Sequence, residues 1–256
     1  MFSNFSYFAI RTIALHEIKD FFKEYQFNII APLINTILFV FIISTINKYY
    51  SIVSDEDSYI NFFVPGMIFI VVIQTSFNHL SELIISMKQS GSFNDYLVAP
   101  ISRVEILLSF LLSSIFVCVF VGIINLIILS FFTDFQHFKF FTLFYYLIIS
   151  VIIFSSFGSV IGFLSFTWDI QSTISNFFII PIAFLSGTFF SIESINENWH
   201  FLLKYNPFYY LVSGFRSSLI QGYEINFVNN IFILIVLIVT LLFSIFIFNK
   251  GYKVIN

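Results

Sequence analysis

Long apolar stretches with few polar interruptions constrain this chain more than any other feature of its sequence. About twenty consecutive apolar residues are enough for a helix to cross the hydrocarbon core of a bilayer. Only 10% of the 256 residues are charged, whereas soluble domains carry about 25%. The chain is therefore predicted to be an all-α polytopic membrane protein. Six spans are predicted, at residues 28–47, 60–85, 104–132, 140–166, 172–190 and 230–248.

Two other segments are predicted to be helical without spanning. Residues 1–27 include an amphipathic stretch with Ile10, Ala14 and Phe21 on one side and charged residues opposite. This pattern is typical of a helix in the plane of the membrane interface, and equally of one packed against a bundle. Residues 192–224 contain apolar runs too short to span, which predicts a re-entrant helical hairpin before the last span.

The polar segment 86–103 separates the second and third predicted spans. Ser92 and Ser102 each begin an S-x-x-[DE] pattern, which predicts the N-terminus of a helix. Pro100 disfavours helical geometry at the residue before it, so the first of these helices is expected to end at Ala99. The segment is therefore predicted to hold a separate helix of about two turns.

Phe93, Tyr96 and Leu97 are spaced to share one face of this short helix. An exposed aromatic face on the water side of a membrane protein indicates a docking site for a partner. A solvated loop lying on the lipid headgroups is an equally good interpretation of the same residues.

Small and polar residues inside the spans suggest packing and pathway roles. Gly158 and Gly162 form a G-x-x-x-G pattern, which favours close helix packing either within one subunit or between two. Possible pathway residues are Gln74, Asn78, Asn125, Tyr209 and Tyr210. The two tyrosines suit stacking on a sugar, although simple packing is the more common role of such residues.

The basic residues predict an orientation. With six spans, seven basic residues lie on the side of the two termini and of segment 86–103, and four lie on the other side. The positive-inside rule then places both termini and segment 86–103 in the cytoplasm.

Several chemistries are absent from the sequence. No G-x-x-x-x-G-K-[ST] pattern is present, so the chain is not predicted to hydrolyse ATP by a P-loop. One cysteine and four scattered histidines predict neither a disulfide nor a metal site. The spans also lack the buried ionisable residues common in ion-coupled transporters. His79 and Glu82 come nearest to that type, and headgroup contact is favoured for both over a proton relay.

Two groups of short motifs resemble those of the ABC-2 type exporter permeases. Their order and spacing carry the resemblance over nearly the whole chain. The first group is Phe62-Phe63-Val64-Pro65-Gly66, Gly91 and the run from Leu97-Val98-Ala99-Pro100 to Leu107. The second is Leu185-Ser186-Gly187-Thr188-Phe189-Phe190, Ile192-Glu193, Asn206-Pro207, Tyr209-Tyr210 and Arg216. The family often has a basic residue just before the glycine that Gly91 matches; here Gln89-Ser90 stand there, and Lys88 precedes them.

The resemblance implies a permease that works as a dimer, with a second copy or a homologous permease, in a bacterial inner membrane. It implies a separate cytoplasmic ATPase subunit that holds ATP and magnesium, with no cofactor bound by this chain and no nucleic-acid partner. It also implies that segment 86–103 is the coupling loop. The residues expected to engage the ATPase are Phe93, Asp95, Tyr96, Leu97, Pro100 and Arg103.

The function expected from the sequence is therefore the membrane subunit of an ATP-driven exporter, without catalytic residues of its own. The expected cargo is hydrophobic, drug-like or a lipid-linked polysaccharide. Two alternatives are an ion-coupled secondary transporter and a membrane assembly factor that transports nothing.

Overall fold

The structure, a computed structural model, describes residues 6–50, 56–133, 135, 137–190, 196–220 and 227–251. Most of these residues are helical, and no strand occurs among them. The α-helices are α1 (Tyr7–Lys23), α2 (Ala31–Tyr50), α3 (Glu56–Ser90), α4 (Phe93–Val98), α5 (Arg103–Leu129), α6 (Phe140–Leu164), α7 (Trp168–Ile174), α8 (Ile180–Phe184), α9 (His200–Lys204), α10 (Pro207–Ser217) and α11 (Phe227–Lys250). The all-α prediction is confirmed for this part of the chain.

The bundle is built around α3 and α6, which are mostly buried and pack along each other. By contrast, α2 and α11 lie at the periphery and bury little of their surface. Within the described residues, five helices are long and apolar enough to cross a membrane: Gln26–Ile46, Tyr59–Ser90, Arg103–Phe132, Phe140–Leu164 and Phe227–Lys250. Five of the six predicted spans therefore coincide with such a helix.

The predicted span at residues 172–190 differs from the others. Helical geometry there runs through α7, a π-helical turn and α8, and ends at Phe184. That is 17 residues, or about 26 Å of helix, against about 30 Å of hydrocarbon core. The chain then turns through Gly187, whose φ of 76° suits a residue without a side chain. A sixth crossing by this segment stays a prediction.

Helix α1 has the two faces that the sequence predicts. Ile10, Ala14 and Phe21 are buried, whereas Lys19 and Lys23 are exposed. The buried face packs against α5. Placement of α1 in the plane of the membrane interface stays a prediction, because the contacts define its position on the bundle only.

The segment predicted as a re-entrant hairpin contains α9 and α10. Asn206 separates them, and its side chain caps α10 by accepting a hydrogen bond from the backbone N–H of Phe208 at 3.0 Å. Pro207 occupies the first turn of α10. A backbone N–H there would have no partner within the helix, so its absence in proline costs no hydrogen bond. Residues 192–195 and 221–224 of the predicted hairpin lie outside the described residues.

Helices α3 and α6 approach closely at Gly158 and Gly162. A Cβ atom on Gly158 would overlap the backbone carbonyl of Phe77, and one on Gly162 would lie 2.9 Å from Cβ of Ile84. The G-x-x-x-G pattern thus faces α3 within the same chain. This contact between α3 and α6 forms the centre of the bundle and lies between the two ends of α3.

Candidate functional site: helix α4 and the opposite end of α3

Helix α4 is a separate helix between two long ones, as the sequence predicts, and runs from Phe93 to Val98. The predicted capping box at its start is wrong, because the Ser92 side chain makes no capping hydrogen bond there. The second predicted box is present at the start of α5. The backbone N–H of Ser102 donates to Oε2 of Glu105 at 2.7 Å, and the backbone N–H of Glu105 donates to the Ser102 hydroxyl at 3.3 Å.

The expectation of an exposed aromatic face on α4 is wrong. Phe93 is only 1% exposed, and Tyr96 and Leu97 are half-buried against the same apolar cluster of the bundle. The aromatic face of α4 packs on the chain's own bundle, because the spacing that suits a partner suits a neighbouring helix equally well. The opposite face exposes Asn94, Asp95 and Val98, and Val98 is 86% exposed.

Phe93 anchors α4 to two long helices. Its ring lies 6.2 Å from the ring of Phe163 at the end of α6 and 5.9 Å from that of Phe248 at the end of α11. Phe163 and Phe248 themselves stack at 4.6 Å. Aromatic pairs at these separations attract each other beyond their buried area. Helix α4 is therefore packed directly on the ends of α6 and α11.

Two basic residues flank α4 and hold the same helix ends. Nζ of Lys88 donates to the carbonyls of Gly162, Phe163 and Ser165 at 2.7–2.9 Å. Nη1 of Arg103 donates to the carbonyls of Phe248 and Asn249 at 3.2 and 2.6 Å. A positive charge at a helix C-terminus satisfies unpaired carbonyls and opposes the helix dipole. Lys88 and Arg103 thus hold segment 86–103 to the ends of α6 and α11.

A third contact joins α4 to α1. The Tyr96 hydroxyl donates to Oε1 of Glu17 at 3.2 Å. Burial raises the pKa of Glu17, although His16 beside it acts in the opposite direction. Burial, and then the Glu17 carboxylate, raise the pKa of Tyr96 to about 12, so its hydroxyl keeps its proton and stays a donor. Helix α4 is therefore tied to α1, α6 and α11 at once.

A cavity of about 950 Å³ lies between α1, the start of α2, the second half of α3 and α4. It is called the α1–α4 cavity below. Its lining includes five carboxylates, from Glu17, Asp20, Glu24, Glu82 and Asp95. The aromatic part of its lining comes from Phe21, Phe27, Tyr96 and Trp168.

The five possible pathway residues do not come together. Asn78 lines the α1–α4 cavity, and its Oδ1 accepts hydrogen bonds from Gln171 and Ser175 at 2.9 and 3.1 Å. Gln74 lies one turn earlier on α3. Asn125 is fully buried in α5, where its Nδ2 donates to the carbonyl of Val121 at 2.9 Å. Tyr209 and Tyr210 lie on α10, and the hydroxyl of Tyr210 donates to the carbonyl of Lys204 at 2.8 Å. A single pathway through these residues stays a prediction.

The other end of α3 holds a cluster around the buried Arg216. In the sequence, Arg216 stands out only as part of the second group of motifs. Arg216 is 2% exposed. Its Nε donates to the carbonyl of Phe62 at 3.1 Å, and its Nη2 donates to the carbonyl of Gly187 at 3.2 Å. Its guanidinium also lies 3.7 Å from the centre of the Phe62 ring. The cluster consists of Phe62, Gly66, Gly187, Thr188 and Arg216.

The Arg216 cluster brings residues of the two motif groups into contact. A Cβ on Gly66 would lie 2.7 Å from Cγ2 of Thr188 and 3.2 Å from Nη2 of Arg216. Residues more than 100 positions apart in sequence thus meet where only a glycine fits. The co-occurrence of the motifs is a sequence signal for this contact, but its geometry is visible only in the structure.

A bundle of long apolar helices, with a short helix held at one end and a buried arginine at the other, is a multi-pass membrane protein. The comparisons place it in a family. The family model for the ABC-2 type transporter matches residues 9–220, and the chain belongs to this family.

Curated relatives agree with this assignment. The chain is 28% identical over 233 residues to the inner membrane transport permease YadH of Escherichia coli strain K12, covering 90% of each chain. It is similar to the same degree to the YadH permease of Shigella flexneri. The match extends over nearly all of both proteins, so it includes α4 and the Arg216 cluster.

Proposed function

We propose that this chain is the membrane subunit of an ATP-driven exporter in a bacterial inner membrane, and that a separate cytoplasmic ATPase moves it through α4. ATP and magnesium belong to that partner, since the chain has no P-loop sequence. Family membership and the inner membrane relatives support the transport role. The direction of transport and the cargo, hydrophobic, drug-like or lipid-linked, belong to the proposal.

The attachment of α4 carries this proposal. A lever must be rigidly joined to what it moves and exposed to what pushes it. Phe93, Lys88 and Arg103 join the coupling loop to α6 and α11, and Tyr96 joins it to α1. The outer face of α4 is open to a partner.

The contact surface proposed for the ATPase differs from the one expected from sequence. Asn94, Asp95, Val98 and Pro100 are exposed and form it. Phe93, Tyr96 and Leu97 act behind it, because they pass the displacement of α4 into the bundle. Val98 supplies the apolar centre of this surface, and Asp95 supplies its charge.

The proposed topology follows from the basic residues. It has both termini and α4 in the cytoplasm and six crossings, with α7 and α8 contributing the short one and α9 and α10 dipping into the outer leaflet. The Arg216 cluster then lies near the outer face. A second copy or a homologous permease completes the pathway, and the weakly buried α2 and α11 supply apolar surface for it or for lipid.

The decisive experiment places a charge on the outer face of α4. Val98→Glu should abolish ATPase copurification or transport-linked ATP hydrolysis, because a carboxylate would be buried unpaired at the interface. The matched control is Val228→Glu. Val228 is also a strongly exposed helix-terminal valine, at 72%, and it starts α11 at the other end of the bundle.

Both variants are purified in detergent and compared by gel filtration before ATPase binding is measured. We expect Val98→Glu to lose at least tenfold in affinity for the ATPase while its elution profile stays unchanged. Val228→Glu should bind like the wild type. Full coupling by the Val98→Glu variant would overturn the role of α4.

A further inference from the structure

We propose that the α1–α4 cavity binds a small organic cation with an apolar body, and that this is where cargo enters the transporter. The binding site is argued from the cavity itself, whereas its part in transport rests on the proposed export function. It narrows the cargo from hydrophobic molecules in general to positively charged ones.

Charge is the first argument. Five carboxylates and one lysine line the cavity. That lysine, Lys23, is already paired, because its Nζ lies 2.6 Å from Oδ1 of Asp20. Glu24, directly after α1, and Glu82, on α3, both line the cavity. Like charges on facing elements are unfavourable unless a cation lies between them.

The walls supply the second argument. Phe27 and Trp168 expose aromatic surface at the cavity, and the face of an aromatic ring attracts a cation within about 6 Å. The volume lies within the range of about 300–1,000 Å³ that small-molecule sites occupy. A cation with an apolar body can therefore pair its charge with the carboxylates and pack its apolar part on the aromatic rings.

An unused polar atom is the third argument. Nε2 of His79 is shielded from solvent, and it has no hydrogen-bond partner among the described residues. His79 lines the cavity and packs edge-to-face against Phe21 with ring centres 5.4 Å apart. Buried polar atoms without a partner are rare, and each one calls for an explanation. His79 therefore leaves a polar atom beside the cavity that no described group uses.

The test uses two probes that differ in the sign of their charge. Tetraphenylphosphonium and tetraphenylborate have nearly the same size and shape. Binding of each to the purified full-length permease in neutral detergent is measured by isothermal titration calorimetry. We expect tetraphenylphosphonium to bind at least tenfold more tightly. Equal affinity for the two ions would overturn the proposal, and this comparison needs no variant.

Variants then locate the site. Glu24→Gln with Glu82→Gln should weaken tetraphenylphosphonium binding at least tenfold, since both carboxylates line the cavity. The matched control is Asp169→Asn, an exposed acid beside Trp168 that does not line it. The control should bind like the wild type. Unchanged binding by the double variant, with its elution profile intact, would exclude this cavity as the site.

Failure of the proposed binding site can be distinguished from failure of the proposed function. Calorimetry on the permease alone requires no ATPase. Charge-selective binding without any ATPase partner would leave the site standing and refute the transport role. Normal assembly with an ATPase but no preference for the cation would refute the site alone.

Discussion

The two ends of α3 use the same chemistry in opposite surroundings. At one end, Lys88 and Arg103 donate to backbone carbonyls at the ends of α6 and α11, beside the exposed face of α4. At the other end, about 39 Å along the helix by its rise per residue, Arg216, itself buried, donates to the backbone carbonyls of Phe62 and Gly187. At both ends, cationic side chains donate to main-chain oxygens. The two ends differ in whether water can reach those side chains.

That difference teaches which end is built to be pushed. A buried cation that has left water is costly to displace, so the Arg216 cluster resists rearrangement. The partly exposed cations at the α4 end lose less on displacement, because water can replace part of their contacts. Helix α4 can therefore move together with the ends of α6 and α11 that it is joined to, while the Arg216 end holds the helices in place.

Removal of the buried arginine should have the largest effect. Arg216→Ala takes away charged hydrogen bonds and leaves a cavity, and we expect a loss of about 3 kcal/mol in unfolding free energy. Lys204→Ala, at an exposed residue of α9, should change little. Thermal unfolding in detergent measures both. Equal stability of the two variants would mean that the Arg216 cluster is no anchor.

A substitution in the contact between α3 and α6 should have the next largest effect on stability. Gly158→Ala places a methyl group on the backbone of Phe77, which cannot move out of the way as a side chain can. We expect a loss of about 2 kcal/mol in unfolding free energy. Gly122→Ala is the control on α5, because its Cβ would meet side-chain methyl groups, of Val72 at 2.8 Å and Leu147 at 3.6 Å, and no backbone. The prediction fails when Gly122→Ala is as damaging as Gly158→Ala.

The link between α4 and α1 should have a smaller effect, on coupling more than on stability. Tyr96→Phe removes the hydroxyl that donates to Glu17, a hydrogen bond worth about 1 kcal/mol. We expect ATPase binding to persist while cargo-stimulated ATP hydrolysis falls severalfold. Tyr205→Phe, at an exposed tyrosine between α9 and α10, is the control. Identical stimulation in both variants would remove Tyr96 from the lever.

The pH dependence of stability should show the smallest effect. Folding raises the pKa of Glu17 above its usual value near 4.5, so its contribution is full below that pH and is lost as pH rises through the folded value. Loss of the Glu17 contribution should therefore lower the melting temperature as the pH rises above about 4.5. Glu17→Gln should flatten this decline, since its amide oxygen still accepts from Tyr96.

A second substitution fixes the sign. His16 lowers the pKa of Glu17, so His16→Gln should move the Glu17 transition to higher pH. Melting curves of the three proteins between pH 4.5 and 8 provide the measurement. A steeper decline in Glu17→Gln than in the wild type would reverse the assigned direction.

Hydrophobic length and local spacing predicted much of this fold. The five long helices and the separate short helix α4 follow from apolar runs bounded by polar residues, because the bilayer sets one length for every span. The capping box at Ser102 and the buried face of α1 were also predictable, since each depends on neighbours within a few residues. The box at Ser92 failed because S-x-x-[DE] is only a local pattern, and α4 begins without it.

The residues alone were enough to predict the class of protein: an all-α membrane protein without a P-loop pattern, organised around one polar loop. Only the tertiary structure decided which way that loop faces. The aromatic face of α4 has the same spacing whether it meets a partner or its own bundle, and periodicity cannot distinguish the two. The Arg216 cluster and the α1–α4 cavity likewise depend on contacts between distant segments, which the three-dimensional packing of the helices alone brings together.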